Sequence, residues 1–229
     1  LIREQQPDIV FLDINMPKMN GLEFLEQLER RNMKATVIIV STVAKEGTKE
    51  TIGALELGAF DFVTKPDSFF EVKSDNFRNK LMECLIVATK SDQLTDEVRK
   101  RAIIQPIIRP VNETRKLFRA TNPKRLIAIA CSTGGPKALQ RVIPLLPENL
   151  KCSILIVQHM PEGFTASLAH RLNELSKIEV KEAEHGEILR DGVAYIAKGG
   201  SQMRLIDSEN GKQQLSVTSE MARNGLKTC

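Results

Sequence analysis

The sequence predicts an α/β protein with two parallel-sheet domains in tandem. Apolar runs without period-two alternation recur at Ile9–Leu12, Val37–Val40, Leu126–Cys131 and Ser153–Gln158, the pattern of strands buried on both faces. Helical spacing separates them, as at Leu22, Leu25 and Leu28 and again from Phe164 to Leu175, so strand and helix alternate. The 229 residues exceed what one average domain needs.

Composition narrows the class. Charged residues at 27% and hydrophobic residues at 41% fit a soluble globular protein. The net charge of +4 comes from 33 basic and 29 acidic residues that are interspersed, which does not argue for nucleic acid. No apolar run approaches the roughly 18 residues of a membrane helix. Cys84, Cys131, Cys152 and Cys229 have no metal or disulfide spacing, which fits a reducing cytoplasm. The chain opens on Leu1 with no initiator Met or signal peptide and ends at Cys229 on no recognisable element. Both ends read as cut, so the expectation is a fragment.

In the first half, Pro7-Asp8 introduces the strand run Ile9–Leu12, which ends in Asp13. Met16-Pro17 and Asn20-Gly21 are loop signals. Thr36 to Val40 is the next strand and ends in Ser41 and Thr42. A helix over 51–57 stops at Gly58. Phe60, Phe62 and Val63 form a third strand, ending in Thr64, Lys65 and Pro66. Open α/β sheets hold ligands at the carboxyl ends of their strands. Carboxylate, hydroxyl and ammonium on one such edge suit a phosphoryl group: Asp13 attacks while Ser41 and Lys65 bind the transferred oxygens. Taken singly, Asp13 is as well read as a loop carboxylate and Lys65 as a solvated lysine.

The motifs LDINMPKMNG, VIIVST and ALELGAFDFVTKP, in that order, resemble the later part of a response-regulator receiver domain. The resemblance implies a flavodoxin-like, doubly wound sheet. It implies that Asp13 accepts phosphate, that Ser41 is the hydroxyl switch and that Lys65 binds the phosphate. A cis Lys65–Pro66 bond and Mg²⁺ are implied as well. The first strand of such a domain and its magnesium-binding acidic pair fall before Leu1, leaving Asp13 and the Asn15 carbonyl as part of the metal shell.

Lys73 to Thr89 carries the apolar spacing of a closing helix at Phe77, Leu81, Leu85 and Ile86. From Lys90 the pattern breaks among prolines and basic residues, predicting a solvated tether with a short helix near Asp96 to Arg101. The expected boundaries are a first domain at 1–89, a linker at 90–122 and a second domain at 123–229.

The second half is organised around LIAIACSTGGPK, residues 126–137. A buried strand stops at Ser132, Thr133, Gly134 and Gly135, and Pro136 opens a helix. This is either a glycine turn that holds phosphate or a turn that presents the Ser132 hydroxyl. The strand Cys152–Gln158 ends at His159, so Ser132 and His159 read as a nucleophile and its base, or as a glycine turn with an incidental histidine. Cys131 reads as a small buried strand residue. His170 lies on the Phe164–Leu175 helix and His185 in an acidic turn over 182–187, so both are weak candidates for a base. Val193 to Ala197 is a further strand, and Met203–Ile206 with Gln214–Val217 predicts a hairpin about Asn210-Gly211.

The motifs IAIACSTGGP, LIVQHMPEGFTASLAHRLN and GVAYIAKGGSQM resemble the catalytic domain of the chemotaxis protein-glutamate methylesterase family, CheB-type. A receiver ahead of that domain is the same family's arrangement. The resemblance implies a Rossmann-like, doubly wound parallel sheet and a Ser-His-Asp triad. Ser132 is then the nucleophile, His159 the base, and the Thr133 backbone N–H an oxyanion-hole donor. The implied reaction is hydrolysis of γ-glutamyl methyl esters on methyl-accepting chemotaxis receptors, with deamidation of certain receptor glutamines. A chemotaxis histidine kinase is the implied phosphodonor, and the esterase needs no cofactor. The family's triad Asp lies in a Gly-Met-Gly segment that these residues do not contain; Asp191 reads as a turn residue and Asp207 as a hairpin tip. Gln202 stands where the family usually has His. The competing readings are a regulator whose output domain only binds, an inactive truncated fragment, and a nucleophile-elbow hydrolase. The elbow wants Gly-x-Ser-x-Gly, and Ala130 stands at its first glycine.

Overall fold

The computed structural model of the chain describes residues 2–41, 45–65, 75–99 and 125–220. The chain divides into two units, Leu1–Thr114 and Arg115–Cys229.

The first unit runs α1 (Ile2–Gln5), β1 (Ile9–Asp13), α2 (Gly21–Arg30), β2 (Thr36–Ser41), α3 (Lys45–Glu56), β3 (Asp61–Thr64) and α4 (Asp75–Arg99). The three strands are parallel in the order β1-β2-β3, with Asp13 beside Val40 and Ser41 beside Thr64. All three therefore deliver their last residues to one edge. A capping box starts α2: the Asn20 side chain accepts from the Glu23 N–H, and the Glu23 carboxylate accepts from the Asn20 N–H. Gly21 brings that helix start against the Asp13 loop. A Cβ on it would lie 2.7 Å from the Asp13 carbonyl oxygen and 2.8 Å from the Ile14 Cα. Along α4, Phe77, Leu81, Cys84 and Ala88 recur at helical spacing and pack on Ile38 and Val63 of the sheet.

The sequence places the end of this helix at Thr89 and a linker from Lys90. The helix instead continues unbroken to Arg99. The segment KSDQLTDEVR contains neither Pro nor Gly, so nothing in it terminates a helix already nucleated upstream. The expected short helix from Asp96 begins inside this one. The rest of the linker, Thr42 and the Lys65–Pro66 bond lie outside the described residues.

The second unit runs β4 (Leu126–Cys131), α5 (Gly135–Val142), a 3₁₀ turn (Ile143–Leu145), β5 (Ser153–Gln158), α6 (Phe164–Leu175), β6 (Glu179–Glu182), β7 (Val193–Ile196), β8 (Gln202–Asp207) and β9 (Gln213–Thr218). Its main sheet is parallel throughout, in the order β4-β5-β7-β6. The antiparallel hairpin β8-β9 closes through Gly211 at φ +67°. Leu215 of that hairpin packs with Leu189, Val193 and Tyr195, and Phe164, Leu168 and Leu172 of α6 are fully buried.

Two features depart from the sequence reading. Strand β6 is unanticipated, because Glu-Val-Lys-Glu offers Val180 as its one apolar residue. Its charges are matched locally, Glu179 to Arg190 and Lys181 to Glu184 and Glu187. Strand β4 reads as buried, yet Leu126 and Ile127 are 39% and 41% exposed. Among the described residues it pairs with β5 alone, at one edge of the sheet.

Two substitutions probe the Asp13 loop. Gly21→Ala must displace backbone and is expected to cost about 1–3 kcal/mol, and Asn20→Ala about 1 kcal/mol. Urea unfolding midpoints check both, and an unchanged Gly21→Ala midpoint contradicts the close approach.

Candidate active site and phosphoacceptor site

In the second unit, β4 and β5 pair in parallel with Cys131 beside Gln158. The residues that follow, Ser132 and His159, therefore leave the sheet from neighbouring strand ends, about 4.8 Å apart. The His159 N–H donates to the Cys131 carbonyl at 3.0 Å and closes the ladder one residue past β5. On the other strand the chain turns sharply. The Ser132 carbonyl accepts from the Gly135 N–H at 2.8 Å, and Gly134 sits at φ +75°, a conformation that favours glycine. Pro136 then lies in the first turn of α5, where a missing N–H costs the helix nothing. Ser132 and Thr133 are thus held at the positive end of α5.

The geometry sorts the histidines. The His159 imidazole is exposed and makes no hydrogen bond or ion pair among the described residues. His170 faces Glu174 on the surface of α6 at 3.4 Å. The His185 Nδ1 accepts from the Val217 N–H at 3.3 Å and belongs to the hairpin. Of the three, His159 alone stands beside Ser132.

The aspartates are sorted as well. The Gly192 N–H donates to the Cys152 carbonyl, and burial, with the Asp191 charge after it, pushes the Cys152 thiol up. Asp191 is therefore at the amino end of β5, about 20 Å of strand from His159. Asp207 ends β8 opposite Gln213, next to the hairpin turn. Neither orients His159. Gln202 is buried and forms the first rung of the hairpin with Thr218, a packing position.

Sequence reasoning passed over Gln158. It is 1% exposed, and its Nε2 donates to the Ser132 carbonyl at 2.9 Å and to the His159 carbonyl at 3.3 Å. The available signal was a large polar side chain ending an otherwise apolar buried strand.

In the first unit, the Lys65 ammonium donates to the Asp13 carboxylate, and both side chains are about a third exposed. The Asn15 N–H donates to Asp13 Oδ1 at 3.3 Å. Ser41 lies one residue beyond the level of Asp13, and the Lys65 N–H donates to its carbonyl at 2.6 Å. The Ser41 hydroxyl is buried and accepts from Thr51 Oγ1 at 2.8 Å. Asp13, Ser41 and Lys65 thus share one sheet edge. Asp13 and Lys65 are in contact, while the Ser41 hydroxyl is engaged with α3.

Magnesium takes six oxygens in near-octahedral geometry, usually one or two carboxylates with waters and phosphate. The described residues offer the Asp13 carboxylate and the Asn15 carbonyl, and no group of three or more metal-ligating side chains occurs among them. Asp13 is also occupied by Lys65. These residues do not by themselves fit a magnesium site.

Cys131 precedes Ser132 but lies half-buried with its Sγ 3.7 Å from the Val157 carbonyl. Burial pushes its thiol pKa up, so less thiolate forms at neutral pH than on a free thiol. Labelling with a thiol-reactive disulfide reagent at pH 7 is expected to modify Cys131 more slowly than glutathione, with the gap closing above pH 9. Faster labelling than glutathione at pH 7 contradicts this.

Residues 1–74 match the response regulator receiver domain family, and residues 127–227 match the CheB methylesterase family. The protein-glutamate methylesterase/protein-glutamine glutaminase of Bacillus licheniformis is 45% identical over 214 residues, covering 89% of this chain and 57% of its own length. The protein of the same description from Pyrococcus abyssi is 36% identical over 227 residues, covering 99% of this chain and 60% of its own length. The crystal structure of the Thermotoga maritima CheB methylesterase catalytic domain is 43% identical, covers 44% of this chain and 53% of that one, and has a TM-score of 0.43. The chain thus spans less than two thirds of the length of these curated relatives. A response regulator receiver match over residues 1–74 thus precedes a CheB methylesterase match over residues 127–227 in one chain, and these curated relatives share one description.

Proposed function

We propose that this chain carries a phosphorylation-regulated protein-glutamate methylesterase and protein-glutamine glutaminase that acts on methyl-accepting chemotaxis receptors. The observation that carries the reading is the placement of Ser132 and His159 on adjacent parallel strand ends at the start of α5. Ser132 Oγ attacks the γ-carbonyl of a receptor glutamate methyl ester, and His159 takes its proton. The Thr133 N–H donates a hydrogen bond to the tetrahedral oxyanion, aided by the helix end. The intermediate collapses, His159 returns the proton to the leaving oxygen, and methanol departs. Water deprotonated by His159 then cleaves the acyl-enzyme to glutamate and free Ser132. With a glutamine side chain the first leaving group is ammonia.

Regulation is assigned to the first unit. Asp13 takes a phosphoryl group from a chemotaxis histidine kinase, and Lys65 moves from the carboxylate to the phosphoryl oxygens. For Ser41 to bind those oxygens, its hydroxyl must leave Thr51. Mg²⁺ supports phosphorylation of receiver domains in general, but the donor set here does not fit it and no step is assigned to it. Phosphoacceptor chemistry belongs to 1–89 and hydrolysis to 123–229, in the cytoplasm. Among the described residues no helix is long and apolar enough to cross a membrane.

The test is methanol release from methylated receptor in membrane vesicles. The full-length protein is expected to release it, and Ser132→Ala to lower the rate at least 10³-fold, in line with removal of a hydrolase nucleophile. Sustained release by Ser132→Ala contradicts the assignment. Asp13→Asn is expected to remove the response to phosphorylated kinase, and a retained response contradicts Asp13 as acceptor.

A further inference from the structure

We infer that Gln158 is a positioning residue that sets the aim of the Thr133 N–H by holding the Ser132–Thr133 peptide plane. The inference deepens the proposed hydrolase reading and rests on it for its kinetic readout. The side chain is 1% exposed and spans the two strand ends that carry Ser132 and His159. Its Nε2 donates at 2.9 Å to the Ser132 carbonyl and at 3.3 Å to the His159 carbonyl. Both neighbours are acceptors, so the amide nitrogen must face them; the flipped amide would set oxygen against oxygen. The other end of the side chain has no such reward. Its Oε1 is buried and lacks a hydrogen bond among the described residues.

The hold of Gln158 falls on one peptide. The Ser132 carbonyl receives two donors, Gln158 Nε2 at 2.9 Å and the Gly135 N–H at 2.8 Å. The peptide unit is planar, so a fixed Ser132 C=O fixes the direction of the Thr133 N–H on the other side of the same plane. Thr133 is the proposed oxyanion donor, and such donors act by being aimed before charge develops. Gln158 also ties that plane to the backbone of His159, so nucleophile turn and base share one anchor. Gly135 leaves room for it. A Cβ at Gly135 would overlap Oε1 of Gln158 and lie 2.9 Å from the Cβ of Cys131, which makes Gly135→Ala a second, independent way to dislodge the amide.

The test uses full-length protein with Gln158→Met, which keeps length and loses both donors, and with Gly135→Ala. Amide hydrogen exchange and methanol release from methylated receptor are measured on each. Exchange at residue 135, whose N–H donates to the Ser132 carbonyl, is expected to rise at least tenfold in both variants while β5 and α6 keep their protection. The kcat is expected to fall 10- to 100-fold with KM within twofold, and the double variant to be no slower than the slower single one. Unchanged exchange at 132–135 in Gln158→Met overturns the inference whether or not the wild type releases methanol. Loosened exchange with wild-type kcat overturns it too, as does a fall in kcat accompanied by loss of protection throughout β5 and α6. If the wild-type protein releases no methanol, the hydrolase reading fails, and the exchange data alone then decide whether Gln158 holds the turn.

Discussion

The parallel pairing of β4 with β5 is the constraint on which the second unit depends. Its register puts Cys131 beside Gln158, and the bond from the His159 N–H to the Cys131 carbonyl carries it one residue further. A one-residue slip would turn every side chain of β4 to the opposite face and move Ser132 away from His159. Gly134 at φ +75° and Gly135 without a Cβ then let the chain reverse into α5 within a few residues of the strand. The hydroxyl is consequently presented by backbone geometry, at a helix start, beside a histidine that the next strand supplies.

The first unit applies the same logic to other chemistry. Three parallel strands end in Asp13, Ser41 and, one residue past β3, Lys65. Lysine meets carboxylate directly, while the Ser41 hydroxyl is held from behind by Thr51 on α3. The proposed acyl nucleophile and the proposed phosphoacceptor thus occupy the same topological position in their two sheets, the carboxyl edge of a parallel array. What differs is the residue type delivered there and the partners that meet it.

Much of this was legible before the structure because buried parallel strands are short apolar runs with polar stops. Ile9–Asp13, Thr36–Ser41, Leu126–Cys131 and the helix Phe164–Leu175 follow directly from that pattern. What escaped has physical causes. Strand β6 is short, on an edge and built of Glu and Lys, so it lacks the apolar run by which its neighbours are recognised. The end of α4 was hidden because a long polar helix and a polar tether share a composition when neither Pro nor Gly intervenes. Gln158 escaped because its role is a pair of carbonyls, and backbone partners leave no trace in side-chain patterns.

The proposed reaction makes Ser132 a nucleophile activated by His159, one residue past β5. It is tested most directly by mapping where a fluorophosphonate reacts covalently in the native protein, by peptide mass spectrometry. A single adduct on Ser132 is expected, formed at least 10²-fold more slowly in His159→Ala, in line with loss of a general base. An adduct elsewhere, or a Ser132 adduct that forms as fast without His159, would contradict it.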